Sequence, residues 1–178
     1  MALKATVHKA DLQLSDLDRQ HYQNYALTLA RHPSETDERM LLRLVAFALN
    51  AHERLLFTKG ICRDDEPDLW RMSLGGEIES WIELGQPDEK RLRKACGRAK
   101  EVIVYTYAER SAAVWWRQYR ETCRRFENLR VFRLAVTGDV KLNELAERNM
   151  RLTCTIQEGQ IWLGDGERDV TLELEEWQ

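Results

Sequence analysis

"PDLWRMSLGGEIESWIELG", residues Pro67 to Gly85, decides the fold. The glycine pair Gly75 and Gly76 suits a two-residue hairpin turn, because glycine enters positive φ without steric cost. A turn centred there pairs Leu74 with Glu77, Met72 with Glu79, Trp70 with Trp81 and Asp68 with Glu83. Side chains alternate with period two, so Asp68, Trp70, Trp81 and Glu83 project from one side of the hairpin. Facing tryptophans support this register, whereas facing carboxylates oppose it. Asp68 and Glu83 therefore need a cation, a proton or a basic side chain between them.

Working outward, "SETDERMLLRLVAFALNAHERLLFTKG" predicts a helix with Ser34 as its cap, acids in its first turn and Gly60 beyond its end. Met40, Leu41, Leu44, Val45, Ala48 and Leu49 recur at helical spacing, so one face is expected to be buried. After the hairpin, Asp88 caps a second helix whose narrow apolar stripe is Leu92, Ala95, Cys96 and Ala99. "VIVYTY", Val102 to Tyr107, is continuous and β-rich, as an interior strand is. A helix from about Ser111 to Phe126, a strand at "VFRLAV" and a short helix near Asp139 to Arg148 follow. Before all of these, "LKATVHKADLQLSDLDRQHYQNYALTLARHP" reads as two strands joined through Ser15 to Arg19. The C-terminal segment shows strand and turn punctuation at Glu158 with Gly159 and at Gly164 to Gly166. This order predicts an α/β fold, a mixed sheet flanked by helices with additional N- and C-terminal β-hairpins.

The 178 residues, 43% of them hydrophobic, suit a single domain spanning 1–178. No apolar run reaches membrane-span length and the first residues lack a secretory pattern, so a cytoplasmic protein without a membrane partner is expected. Cys62, Cys96, Cys123 and Cys154 form no metal-ligand spacing and read as reduced thiols. A net charge of -3 argues against indiscriminate nucleic-acid binding, though a local basic stripe remains compatible with it. No phosphate-binding glycine loop, zinc motif or dinucleotide fingerprint is present.

The helix, the Pro-Asp strand, the tight turn, the acid-bearing strand, the basic helix and "VIVYTY" together resemble the core of the PD-(D/E)XK, restriction endonuclease-like nuclease superfamily. "ALKATVHKADLQLSDLDRQHY", "LTLARHPSETDERMLLRLVAFALNA" and "WIELGQPDEKRLRKACGRAKEVIVYTY" are similar to the bacterial YaeQ family over nearly the whole chain. The superfamily resemblance implies that Asp68 and Glu83 are catalytic carboxylates holding magnesium or manganese, with the Leu84 carbonyl as a third ligand. Such an ion prefers oxygen ligands, polarises a phosphodiester and generates hydroxide from bound water. Where the resemblance implies a lysine, two residues after Glu83, stands Gly85. Superfamily members are known to move that lysine onto the following helix, where Lys90 and Lys94 are available here, with Arg91 as a phosphate-binding residue. Leu92 at the core centre puts Lys90 and Lys94 on roughly the opposite helix face and Arg91 on its flank, and a guanidinium cannot act as a base.

Two functions stay open at this point. One is a variant magnesium-dependent nuclease or phosphodiesterase acting on nucleic acid. The other is a binding or regulatory protein, with nucleic acid or another protein as its partner, that keeps the nuclease-like fold without catalysis. For each residue there is a plainer reading: Asp68 and Glu83 as exposed carboxylates paired to an arginine, "KRLRK" as a solvated helix face, and the two tryptophans as packing. Glu79 is a weaker acid candidate on the same hairpin face, and Glu38 either an outer carboxylate or a first-turn acid favouring the helix dipole.

Overall fold

The computed structural model describes residues 4–59, 61 and 63–178, so Gly60 and Cys62 lie outside the described residues. The chain is a mixed α/β fold of two compact units, Met1–Asn50 with Val136–Glu173, and Ala51–Ala135 with Leu174–Gln178.

In the first unit, β1 (Thr6–Asp16) and β2 (His21–Arg31) form the antiparallel N-terminal hairpin. On β1, buried His8, Ala10, Leu12, Leu14 and Asp16 alternate with residues that are exposed or nearly so, the pattern of a sheet with one packed face. The remaining strands are β8 (Asn149–Gln157), β9 (Gln160–Gly164) and β10 (Asp169–Glu176), in the order β2-β1-β8-β9-β10. β8 runs parallel to β1, and the β8 to β9 turn takes positive φ at both Glu158 and Gly159, as a primed turn requires.

Helix α1 (Asp37–Leu49) differs from its sequence reading in three ways. Thr36 rather than Ser34 is the cap, accepting from the Arg39 amide at 3.1 Å, while Ser34 bonds the His32 ring. The helix ends at Leu49, where the Asn50 side chain donates to the Ala46 carbonyl and satisfies a group the last turn leaves open. Beyond it, Leu55–Phe57 is a strand, not helix. Nor is only one face buried, since every residue from Met40 to Ala48 is. Arg43 tolerates this because Glu35 grips its guanidinium at 2.8 and 2.7 Å and the Ala30 carbonyl accepts a further bond.

The second unit carries the hairpin that the sequence singled out. Its strands are β3 (Leu55–Phe57), β4 (Leu69–Met72), β5 (Ile78–Leu84), β6 (Ala99–Thr106) and β7 (Leu129–Thr137), in the order β7-β6-β5-β4-β3. β5, β6 and β7 are parallel, joined by α2 (Glu89–Arg98) and α3 (Glu109–Cys123). Val102 to Thr106 are all buried, as the uninterrupted apolar run predicted for an interior strand. Leu92 and Ala95 of α2 pack with Trp81, Val102, Val104 and Trp115 in one core. Asp88 caps α2 as expected, while the element predicted near Asp139 to Arg148 shortens to a 3-10 turn at Leu142–Leu145.

The hairpin turn is not the predicted one. Ser73 accepts from the Gly76 amide at 3.1 Å and donates to the Glu77 carbonyl at 2.8 Å, so Leu74, Gly75 and Gly76 form a three-residue loop. Only Gly76 has positive φ, at +87°. That loop shifts the pairing by one, placing Met72 opposite Ile78 instead of Glu79. A bulge at Arg71/Met72 then takes up the extra residue and restores Arg71 with Ser80 and Trp70 with Trp81. The two irregularities cancel before the acids are reached. Glu79 is the residue skipped at the bulge, and it pairs with Arg54 and Arg71.

This turn predicts an asymmetry between adjacent glycines. Gly76→Ala loses roughly 1–2 kcal/mol because alanine is forced into left-handed backbone. Gly75→Ala is close to neutral, since its Cβ meets only the Ser73 hydroxyl at 3.7 Å. Urea unfolding of both variants measures the difference, and equal losses would restore the primed turn.

Candidate functional site

Asp68 lies one residue before β4, yet its backbone continues the ladder. Its amide donates to the Ile82 carbonyl at 3.1 Å and its carbonyl accepts from the Thr58 amide at 3.1 Å. This carries the Trp70 and Trp81 register outward and sets Asp68 beside Glu83 at the carboxyl end of β5. Both acids are buried, at 2% and 9% exposure, rather than decorating a surface. Ligand sites in parallel sheets gather at such strand ends.

Each carboxylate is held by the backbone or by a neighbouring side chain. Asp68 Oδ2 accepts from the Leu84 amide at 2.8 Å, tying the acid across the end of β5. Glu83 Oε2 accepts from the Trp81 indole N–H at 2.9 Å, and Oε1 accepts from Arg91 Nε at 2.8 Å. Arg91 reaches Glu83 because Asp88, the α2 cap, receives the Arg91 amide at 2.8 Å and fixes the first turn. The positive charge required by the hairpin register is thus supplied by Arg91.

Burial is the largest influence on Glu83 and raises its pKa above the ordinary glutamate value; Asp68 raises it further. The Arg91 hydrogen bond and charge, and the Trp81 hydrogen bond, act the other way.

Of the basic residues expected to replace the missing lysine, the structure brings only Arg91 to the carboxylates. Lys94 Nζ donates to the Asp64 carbonyl at 2.9 Å. Lys90 is exposed and has no hydrogen bond or ion pair among the described residues. Gly85 has a physical reason to be glycine: its φ is +109°, a conformation that strains any L side chain, while its amide donates to the Tyr105 carbonyl at 3.0 Å. Glu38 is exposed in the first turn of α1.

Two features escaped the sequence reading. Trp81 is fully buried, so its indole serves the site as a hydrogen-bond donor and as a surface on which Arg91 and Arg98 rest, 5.9 and 5.4 Å from its centroid. Second, Arg91, Lys94 and Arg98 all grip carbonyls of residues 64–66. Their i, i+3, i+7 spacing marks one helix face and was the available signal.

Asp68, Glu83 and Leu84 offer only oxygen donors, a set that suits a hard divalent cation retaining several waters. No group of three or more His, Cys, Asp or Glu side chains able to hold a metal occurs among the described residues. Among the described thiols, burial pushes Cys96 and Cys123 up to about 11 and Cys154 up to about 12, which keeps them protonated and poor metal ligands.

The Glu83 shift fixes a pH dependence. Below the ordinary glutamate value of 4.5 the residue is protonated in folded and unfolded chains alike. Between that value and the raised folded one, only the folded chain keeps the proton, so stability falls as pH rises through this window and levels off above it. Urea unfolding across the window reads the slope, and Glu83→Gln flattens it. Identical profiles for parent and variant would mean that Glu83 titrates as an ordinary glutamate.

Residues 1–174 match the protein family described as YaeQ protein. The chain is 49% identical over 178 residues to the uncharacterised protein YaeQ of Escherichia coli strain K12, and 48% identical to that of Salmonella typhi, covering 100% of this chain and 98% of each relative. The crystal structure of YaeQ protein from Xanthomonas axonopodis pv. citri superposes with a TM-score of 0.92 at 45% identity, covering 98% of both chains. That of YaeQ protein from Pseudomonas syringae gives 0.89 at 34% identity, covering 98% of this chain and 96% of the other. With both sequence and fold matched along almost its whole length, the chain belongs to the YaeQ family.

Proposed function

We propose that this chain is a variant magnesium-dependent phosphodiesterase of the PD-(D/E)XK, restriction endonuclease-like type, acting on nucleic acid, with Arg91 standing in for the cation when no metal is bound. The observation that carries the reading is the buried pair of Asp68 and Glu83, brought together at the end of β5 with the Leu84 backbone against them. Two carboxylates kept out of water are costly unless their charge is balanced. Asp68, Glu83 and the Leu84 carbonyl would hold magnesium or manganese.

When bound, the ion supplies Lewis acidity toward a phosphodiester oxygen and a water of lowered pKa. The chain's own residues supply positioning. Trp81 fixes the Glu83 carboxylate through one oxygen, and the Leu84 amide fixes Asp68. Arg91, released from Glu83, is placed to receive a phosphate oxygen, and its fork geometry suits that role better than proton transfer. Lys94 and Lys90 lie on the same helix for the remaining charge.

A second reading, a binding or regulatory protein without catalysis, draws on a separate observation: neither lysine reaches the carboxylates, and Gly85 occupies backbone that would strain the strand lysine expected there. In the first reading the partner is a phosphodiester strand; in the second it is nucleic acid or another protein. No described helix is long and apolar enough to cross a membrane.

Magnesium or manganese at about a hundred times its Kd stabilises the fold by about 2.7 kcal/mol, which for a chain of this size raises Tm by roughly 5–10 °C. Asp68→Asn with Glu83→Gln removes the rise. Arg91→Ala lowers Tm without metal but enlarges the metal-induced rise, because the competing cation is gone. An equal rise in the parent and the double variant would put the ion elsewhere. Cleavage of DNA or RNA that requires both acids supports the enzyme, whereas metal binding with every strand intact supports the binding protein.

A further inference from the structure

Resting on the phosphodiester reading, we propose that Arg91, Lys94 and Arg98 form the tract for the strand's backbone. Residues 64–66 occupy that tract in its absence, as a built-in stand-in that an arriving strand displaces.

Four hydrogen bonds carry the assignment. Arg91 Nη1 donates to the Asp64 carbonyl at 3.1 Å and Nη2 to the Glu66 carbonyl at 2.7 Å. Lys94 Nζ donates to the Asp64 carbonyl at 2.9 Å, and Arg98 Nη1 to the Asp65 carbonyl at 2.7 Å. Three cations on one face of α2 therefore converge on a run of main-chain oxygens. At about 1.5 Å of rise per residue, positions 91 to 98 span about 10 Å of helix, enough to face more than one phosphate of a strand.

The choice of acceptors is the unusual part. Asp64, Asp65 and Glu66 each carry a carboxylate, yet none forms an ion pair with these cations among the described residues. Arginine and lysine instead bond neutral carbonyls, an arrangement weaker than a pairing of two ionised groups. A phosphate offers the stronger acceptor. Displacement is also favoured by charge, because a strand seated on α2 repels the exposed Asp64 and Asp65. The cations need little rearrangement, since Arg91 and Arg98 already lie against the Trp81 ring. Arg91 links the two halves of the site through its further bond to Glu83.

The test uses the whole protein with single-stranded DNA and RNA oligonucleotides in chelator, so that no metal takes part. Arg63 is exposed at the edge of the gripped segment, and trypsin cleavage after it reports opening. Either oligonucleotide speeds that cleavage severalfold. Asp64→Asn with Asp65→Asn keeps the carbonyls but removes the repulsion, and tightens oligonucleotide binding severalfold by anisotropy. Lys94→Gln with Arg98→Gln speeds cleavage without any strand and abolishes the oligonucleotide effect. Its Tm is measured alongside, because general unfolding would speed cleavage at sites throughout the chain and not selectively at Arg63. Oligonucleotides that bind without changing cleavage after Arg63, or that fail to bind both the parent and the Asp64/Asp65 variant, overturn the proposal. A magnesium-induced rise in Tm that persists beside such a result keeps the carboxylate reading, and loss of that rise beside an intact strand response overturns the carboxylate reading alone.

Discussion

The pairing of Glu83 with Arg91 is the contact on which the site turns. Glu83 is buried beside Asp68, burial and that neighbour both favour its protonated form, and the Arg91 guanidinium counters them at 2.8 Å. The surrounding architecture positions this cation. Asp88 caps α2 and orients its first turn, Leu92 and Ala95 anchor the helix in the core, and Trp81 holds the other Glu83 oxygen. Removing the guanidinium leaves a buried acid beside another acid, an arrangement that persists only with a proton or a different cation.

The carboxylate pair was legible in the sequence because register depends on few residues. Trp70 and Trp81 identify their own partnership, and a period of two then sets Asp68 toward Glu83. The turn was misread, since two consecutive glycines suit a primed loop and equally a three-residue loop with one left-handed glycine. The bulge that compensates for it leaves no mark in composition. Alternation alone could not reveal that Glu79 belongs with Arg54 and Arg71.

The cationic helix was harder to read for a different reason. Angular position about α2 correctly kept Lys90 and Lys94 away from the carboxylates, but it says nothing of a segment such as residues 64–66 arriving from elsewhere in the chain. Similarly, the apolar spacing of α1 indicated one buried face, and the burial of Arg43 became visible only with Glu35 against it. Local pattern specifies which way a side chain points; the partner it meets depends on tertiary placement. Gly85 shows the converse, because the glycine that stands where the resemblance implies a lysine is accounted for by a backbone angle of +109°. The strand cannot carry a lysine there without strain.

The proposed exchange of Arg91 for a metal ion at Glu83 is most directly tested by a crystal structure of the protein soaked in manganese, with the ion located by its anomalous scattering. The account predicts a manganese peak within bonding distance of Asp68 and Glu83 oxygens, with the Arg91 guanidinium moved off Glu83 Oε1. A saturating soak that leaves the bond between Arg91 and Glu83 intact and shows no peak between the two acids would contradict it.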